Sequence, residues 1–233
     1  MNCFIDYRTT LEEINNLIKL GIKPIKIPKT NLVYEAINGH VDIQLNILNK
    51  DERKIIVHKD MSYDFLKTLE SENISYVRSD SSLKHSYPDD IILNALITDE
   101  YFIHAIKYSD KNLLSSIEGK KMINVKQGYT KCSVLPISNK AFITSDTGIY
   151  KILKAENLDV LLVPFGDIVL PSMNYGFIGG VGGMIYPDTL AIFGDINEYK
   201  YSSLVIDFLN EHKVKVVSLK SGKLVDRGSL FVI

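Results

Sequence analysis

A nine-residue stretch that recurs at an offset of 48 residues constrains this chain more than any other feature. His40-Val41-Asp42-Ile43-Gln44-Leu45-Asn46-Ile47-Leu48 matches Pro88-Asp89-Asp90-Ile91-Ile92-Leu93-Asn94-Ala95-Leu96 at five of nine positions. Both copies start after a turn and continue into apolar residues with strand character. A second element recurs around them, a short strand ending in Asp. It appears as Cys3–Asp6, Ile55–Asp60, Ala141–Asp146 and Leu190–Asp195, with Phe102–Ile106 as a looser fifth member.

After each such strand comes helical spacing. Leu11, Ile14, Leu17 and Ile18 form one predicted face, Phe65, Leu66 and Leu69 a second, and Leu204, Val205, Phe208 and Leu209 a third. Asp or Thr near each helix start is placed to cap the free N–H groups. Each helix leads to another strand: Pro24–Ile27, Ile74–Val77, Lys121–Val125, Leu158–Val163 and Val214–Leu219. The unit is therefore helix, strand, loop, strand, strand. Three strands per helix is too many for an open doubly wound sheet.

The fifth copy stops at Gly228–Ile233 without its Asp-ending strand, and the N-terminus supplies one spare. Pairing residues 2–6 with 228–233 would close a ring and leave no open seam. The expected fold is an α/β five-fold pseudo-symmetric propeller closed by the N-terminal strand. It forms a single domain of repeats at about 8–60, 61–110, 111–146, 147–196 and 197–233 plus 1–7.

Composition narrows the function classes. With 45% hydrophobic and 24% charged residues among 233, the chain can bury a sizeable core. A net charge of −1 carries no basic footprint for nucleic acid or anionic lipid. The longest apolar stretch, Leu158–Leu170, is broken by Asp159, Pro164, Gly166 and Asp167, so no membrane span is expected. Asp6 and Arg8 stand where a signal peptide needs an apolar run. The two cysteines, Cys3 and Cys132, lie far apart, which fits a cytoplasmic protein better than a disulfide framework. No CxxC, HExxH or clustered-His pattern occurs, so no metal or other cofactor is expected.

In a ring, five equivalent loops converge near the axis: 39–42, 87–90, 128–133, 175–183 and 225–229. Together they hold a Cys, a His and several carboxylates, the types that make a catalytic set. Each also has a plainer reading. Cys132 on a strand is a small apolar filler, and its neighbour Lys131 then points to the opposite face and out to solvent. His40 caps a turn, although Pro88 at the equivalent place shows that folding does not demand His. Asp42 and Asp90, at equivalent positions, suit a turn role, and Asn46 and Asn94 suit backbone pairing. Cys3 belongs to the core. The glycines of 176–183, Gly179 and Gly180 among them, precede a strand with no Lys-Ser/Thr. That favours close backbone packing or approach to a ligand over a phosphate loop. Tyr175 can stack on a ligand, and Asp226-Arg227 reads as a surface turn pair or a ligand contact.

Two of these loops resemble motifs of the pentein, or guanidino-group-modifying, superfamily of five-fold α/β-propellers. Gly39-His40-Val41-Asp42 is similar to its Gly-His-hydrophobic-Asp motif. Gly128–Ile137 (GYTKCSVLPI) resembles its Gly-x-x-(His/Arg)-Cys-x-Thr-x-Pro-hydrophobic segment. Cys132 and Pro136 keep that spacing, whereas Lys131 and Val134 depart from it. About a hundred residues follow Cys132, whereas the superfamily's enzymes carry it near the C-terminus, an order that circular permutation of a ring accommodates. The chain also resembles an uncharacterised bacterial branch of this fold.

The resemblance implies a cysteine-dependent hydrolase or transferase acting on a small guanidine or amidine. Cys132 would be the nucleophile, His40 the acid/base, and Asp42 with Asp90 a carboxylate clamp on the planar cation. Asn46, Asn94, Tyr175, Gly179, Gly180 and Asp226 are the further expected substrate contacts, and the second carboxylate beside His40 is left unassigned. The competing expectation is a non-catalytic binding module, similar to the ring-shaped anti-association translation initiation factor. The two differ in whether Cys132 and His40 face each other.

Overall fold

In a computed structural model describing residues 1–233, the recurring pattern becomes five three-stranded sheets. In four sheets the Asp-ending strand lies in the middle, and in the third its looser counterpart Tyr101–His104 does. The middle strand pairs antiparallel with the strand before it and parallel with the strand after its helix. The second sheet shows the scheme. Leu45–Asn49 runs against Lys54–Val57, helix Tyr63–Ser71 crosses over, and Ser75–Arg78 returns parallel. The third, fourth and fifth sheets repeat it around Tyr101–His104, Ala141–Thr144 and Thr189–Ile192.

The first sheet is assembled from both ends of the chain. Phe231–Val232 lies against Asn2–Ile5, with Cys3 opposite Val232 and Phe4 opposite Phe231. Asn2 and Ile233 exchange two backbone hydrogen bonds of 2.9 Å. This is the expected seam.

Burial explains why the ring holds. The middle strands Asn2–Ile5, Ala141–Thr144 and Thr189–Ile192 are buried at every position, so both faces need apolar neighbours. Those neighbours are adjacent sheets, and one apolar cluster fills each of the five junctions. Phe4, Ile55 and Phe65 join the first sheet to the second, and Cys3, Ile185 and Leu230 join the fifth back to the first. A fully buried phenylalanine such as Phe4 contributes about 1.5–3 kcal/mol through removal from water.

Three helices start as expected, whereas Tyr63–Ser71 and Ser202–Glu211 begin after Ser62 and Tyr201 without a side-chain cap. Thr10 and Glu13 form a reciprocal capping box, while Asp110 and Asp146 accept backbone N–H bonds at their helix starts. One predicted face needs correction. Leu11 is 76% exposed and Ile18 also faces solvent, whereas Glu13 and Leu17 are buried. Glu13 is drawn inward by Thr10 and by Arg227, whose Nη2 lies 3.5 Å away, and this turns the helix about its axis. Leu204 of the last helix is likewise exposed beside buried Val205, Phe208 and Leu209.

Two further differences bear on the site. The 41–44 and 130–133 segments are single helical turns, Val41–Gln44 and Thr130–Ser133, and the strands begin only at Leu45 and Val134. Each turn runs directly into an edge strand of its sheet, Leu45–Asn49 or Val134–Pro136. No helix is long and apolar enough to cross a membrane.

Candidate functional site

Three of the expected residues meet. One ring nitrogen of His40, one carboxylate oxygen of Asp42 and the sulfur of Cys132 lie within 4.8 Å of one another, all buried. Cys132 Sγ lies 3.2 Å from Asp42 Oδ1 and accepts a hydrogen bond from Asn94 Nδ2 at 3.1 Å. Asn94 also donates to the Asp42 carbonyl at 2.9 Å. Its Oδ1 accepts from the backbone N–H groups of Lys131 (2.9 Å) and Cys132 (3.3 Å). One asparagine thus fixes the His40–Asp42 turn relative to the Cys132 turn. Asn46, its repeat equivalent, does the same one sheet earlier by donating to the Leu93 and Ala95 carbonyls, away from the thiol.

The helical turn at Cys132 overturns the reading of Lys131 as a surface residue. Strand alternation does not apply to Thr130–Ser133, and all four residues are buried. Lys131 Nζ donates to the Gly179 carbonyl (3.0 Å) and to Ser229 Oγ (2.8 Å), and it lies over the Phe231 ring. Ser229 in turn donates to Asp42 Oδ2 at 2.6 Å. A polar chain therefore runs from Lys131 through Ser229 and Asp42 to the thiol. No motif in the sequence marks Ser229, because the link depends on a chain reversal in which Ser229 has φ of +73°.

Asp226 is the carboxylate beside His40, with Oδ1 3.8 Å from Nδ1. It is buried, not part of a surface turn, and is held by the N–H groups of Phe177 (2.8 Å) and Gly228 (2.9 Å). The expected pairing of Asp42 with Asp90 does not form one clamp. Asp42 is engaged by Cys132 and Ser229, while Asp90 accepts a short hydrogen bond from the Tyr129 hydroxyl. Gly179 and Gly180 serve close packing. A Cβ on Gly179 would lie 2.2 Å from the Lys131 carbonyl, and one on Gly180 would lie 1.8 Å from Asp226 Oδ1. Cys3 is core, its thiol pushed up to about 12 by burial.

His40, Cys132 and Asp226 lie at a cavity of about 240 Å³, and Tyr175 stands at its edge, 44% exposed. Neither ring nitrogen of His40 has a hydrogen-bond partner, although the residue is only 1% exposed. A buried imidazole without partners costs free energy unless something in the cavity completes it. Burial pushes the Cys132 thiol well above its ordinary range, and the Asp42 and Asp226 carboxylates reinforce the shift. Burial also raises Asp226, opposed by His40, and lowers Lys131, opposed by Asp42. The site is thus short of positive charge at the sulfur, and a cation entering the cavity would favour the thiolate. His40, Asp42 and Cys132 also make a donor set that zinc could use, but Asp42 already has a partner on each oxygen.

Known structures share this architecture. The inosamine-phosphate amidinotransferase of Streptomyces griseus aligns at a TM-score of 0.54 and 13% identity, over 89% of this chain and 72% of that one. An amidinotransferase of the saxitoxin pathway from Microseira wollei aligns at 0.54 and 9%, over 97% and 89%. DDAH from Pseudomonas aeruginosa, complexed with citrulline, aligns at 0.52 and 8%, over 93% and 91%. Identities this low establish the fold, which is that of the pentein superfamily. No match is found among curated proteins. A family model described as a family of unknown function, DUF6873, covers residues 4–231, and the chain belongs to that family.

Proposed function

We propose that the chain is a cysteine-dependent enzyme acting on a small guanidinium or amidinium compound. The observation that carries this reading is the partnerless, buried His40 imidazole facing the same cavity as Cys132 and Asp226. The proteins of like fold support it by their descriptions as amidinotransferases and, in one case, as an enzyme with bound citrulline.

In this reading the planar cation lies between Asp226 and the thiol, which rests protonated against Asp42. The positive charge offsets both carboxylates, Cys132 gives its proton to His40, and the thiolate attacks the central carbon. An S–C bond forms, and the C–N bond to the leaving amine breaks as His40 protonates that amine. His40 then takes a proton from water, or from an acceptor amine, which attacks the carbon and expels the Cys132 thiolate; that proton passes from His40 to the sulfur and restores the thiol. Asp226, 3.8 Å from Nδ1, favours the imidazolium electrostatically, and Asn94 holds sulfur and turn in place.

The test is alkylation by 2-chloroacetamidine, read by intact-protein mass spectrometry on the native chain and on Cys132→Ala. One equivalent on the native protein and none on the variant is expected, since Cys3 is buried with its thiol at about 12. Labelling unchanged by a chelator would set the zinc reading aside. Absence of labelling, or equal labelling of both proteins, moves the assignment to a non-catalytic binding protein.

A further inference from the structure

The walls of the cavity differ in kind from its floor. Three of its aromatic residues make a continuous surface rising to the rim. Tyr129 stacks on Phe177, with centroids 6.2 Å apart and planes at 26°, and Tyr175 meets Phe177 edge-on at 6.1 Å. Leu170 and Met173 complete the apolar side, and Met173 is 51% exposed at the opening. The only ionisable groups at the cavity, besides the phenols, are His40, Cys132 and Asp226, and the one other polar wall residue is the neutral Asn174.

No lysine or arginine lines the space. The basic groups near its outer edge are occupied or turned elsewhere. Lys107 lies over the Tyr108 ring, and His85 packs against the edge of Tyr34. Of the nearby arginines, Arg8 is held by Asp6 and the Glu35 and Ala36 carbonyls, and Arg227 lies beside Glu13. A ligand carboxylate entering here would be desolvated against aromatic rings and the Asp226 carboxylate, with Asp42 behind Cys132, Asp90 behind Tyr129 and no countercharge. A delocalised cation is favoured by the same surroundings, since ring faces and a buried carboxylate both attract it. At about 240 Å³ the cavity is also below the roughly 300–1,000 Å³ of ordinary ligand pockets, so the tail of the ligand is short.

Building on the guanidinium reading of this site, we infer that its ligand is a monocation with a short apolar tail, an alkyl or aryl guanidine or amidine. Guanidino acids, free arginine included, are excluded by the missing countercharge.

Equilibrium binding to the native protein, by calorimetry, tests this with n-butylguanidine, 4-guanidinobutyrate and arginine. n-Butylguanidine is expected to bind, and both guanidino acids to bind about tenfold more weakly or worse. Met173→Arg, at the exposed rim, is expected to narrow the gap between n-butylguanidine and 4-guanidinobutyrate to a few-fold by supplying the countercharge. Equal or tighter binding of either acid to the native protein overturns the inference, as does failure of n-butylguanidine to bind, whether or not Cys132 is alkylated. An unchanged gap in Met173→Arg overturns it too, because the tail would then leave by another route. Binding of n-butylguanidine with no alkylation of Cys132 by 2-chloroacetamidine would leave the inference standing and sink the catalytic reading.

Discussion

His104 is fully enclosed and hydrogen-bonded at both ring nitrogens, to Ser109 Oγ at 2.7 Å and to the Gly128 carbonyl at 3.0 Å. The neutral ring satisfies both by donating from Nε2 and accepting at Nδ1; a proton added at Nδ1 would make the ring the donor to Ser109 Oγ, so the cost of charging it is that of a buried cation. Burial lowers its pKa from 6.5 to about 4, and burial does the same to His58. Because the folded state binds fewer protons than the unfolded chain between those values, stability falls as pH drops from about 6.5 towards 4. Each shift corresponds to about 3 kcal/mol. Urea unfolding followed at pH 7, 5.5 and 4.5 should therefore show a steep loss of stability, and His104→Gln should flatten it. A stability independent of pH over that window would refute the buried neutral state. His104 also bears on the site, because Gly128 opens the segment that leads to Tyr129 and Cys132.

Single turns of helix decide the chemistry at the scale of elements. Thr130–Ser133 is four residues long, yet it alone places the sulfur toward the cavity and sends the Lys131 ammonium to Ser229. The backbone of Gly179 lies against this turn so closely that a methyl group would meet the carbonyls of Lys131, Cys132 and Val134 at 2.2–2.5 Å. Gly179→Ala should therefore cost about 1–3 kcal/mol of stability, as overpacked sites do. It should also slow amidine alkylation of Cys132 by moving the turn. Circular dichroism with thermal melts reads the first effect and mass spectrometry the second; an alanine variant with native stability and native labelling would show that the contact is not needed. Turns this short have no periodicity to read, and their sequence reading as strand starts failed for that reason. The long helices were legible, and the one misplaced face, at Leu11 and Ile18, arose from an inward-facing glutamate that apolar spacing does not report.

The whole molecule is a ring whose ends meet, with Asn2 and Ile233 paired through their backbones. Joining the ends through a Gly/Ser linker of about four residues, and reopening the chain at the exposed Lys50–Asp51 turn, should keep every sheet paired. That permutant should retain native circular dichroism and a single cooperative melt, whereas deletion of residues 229–233 should abolish the cooperative melt by stripping an edge from Asn2–Ile5. An unfolded permutant beside a folded parent would argue against closure by this seam. The five-fold repeat, its strand and helix order and the missing strand at one end are all legible along the chain. Those features follow from periodicity, turn residues and counting, which are local or repeat at a fixed interval. Short motifs also point to His40 and Cys132. Folding settles the rest: that Asp226 stands beside His40, that Asp90 answers to Tyr129, and that Lys131 and Ser229 are wired to Asp42. These partners come from loops up to 187 residues apart in the chain. Their meeting depends on how five sheets pack around one axis, a property of the closed ring that no single segment encodes.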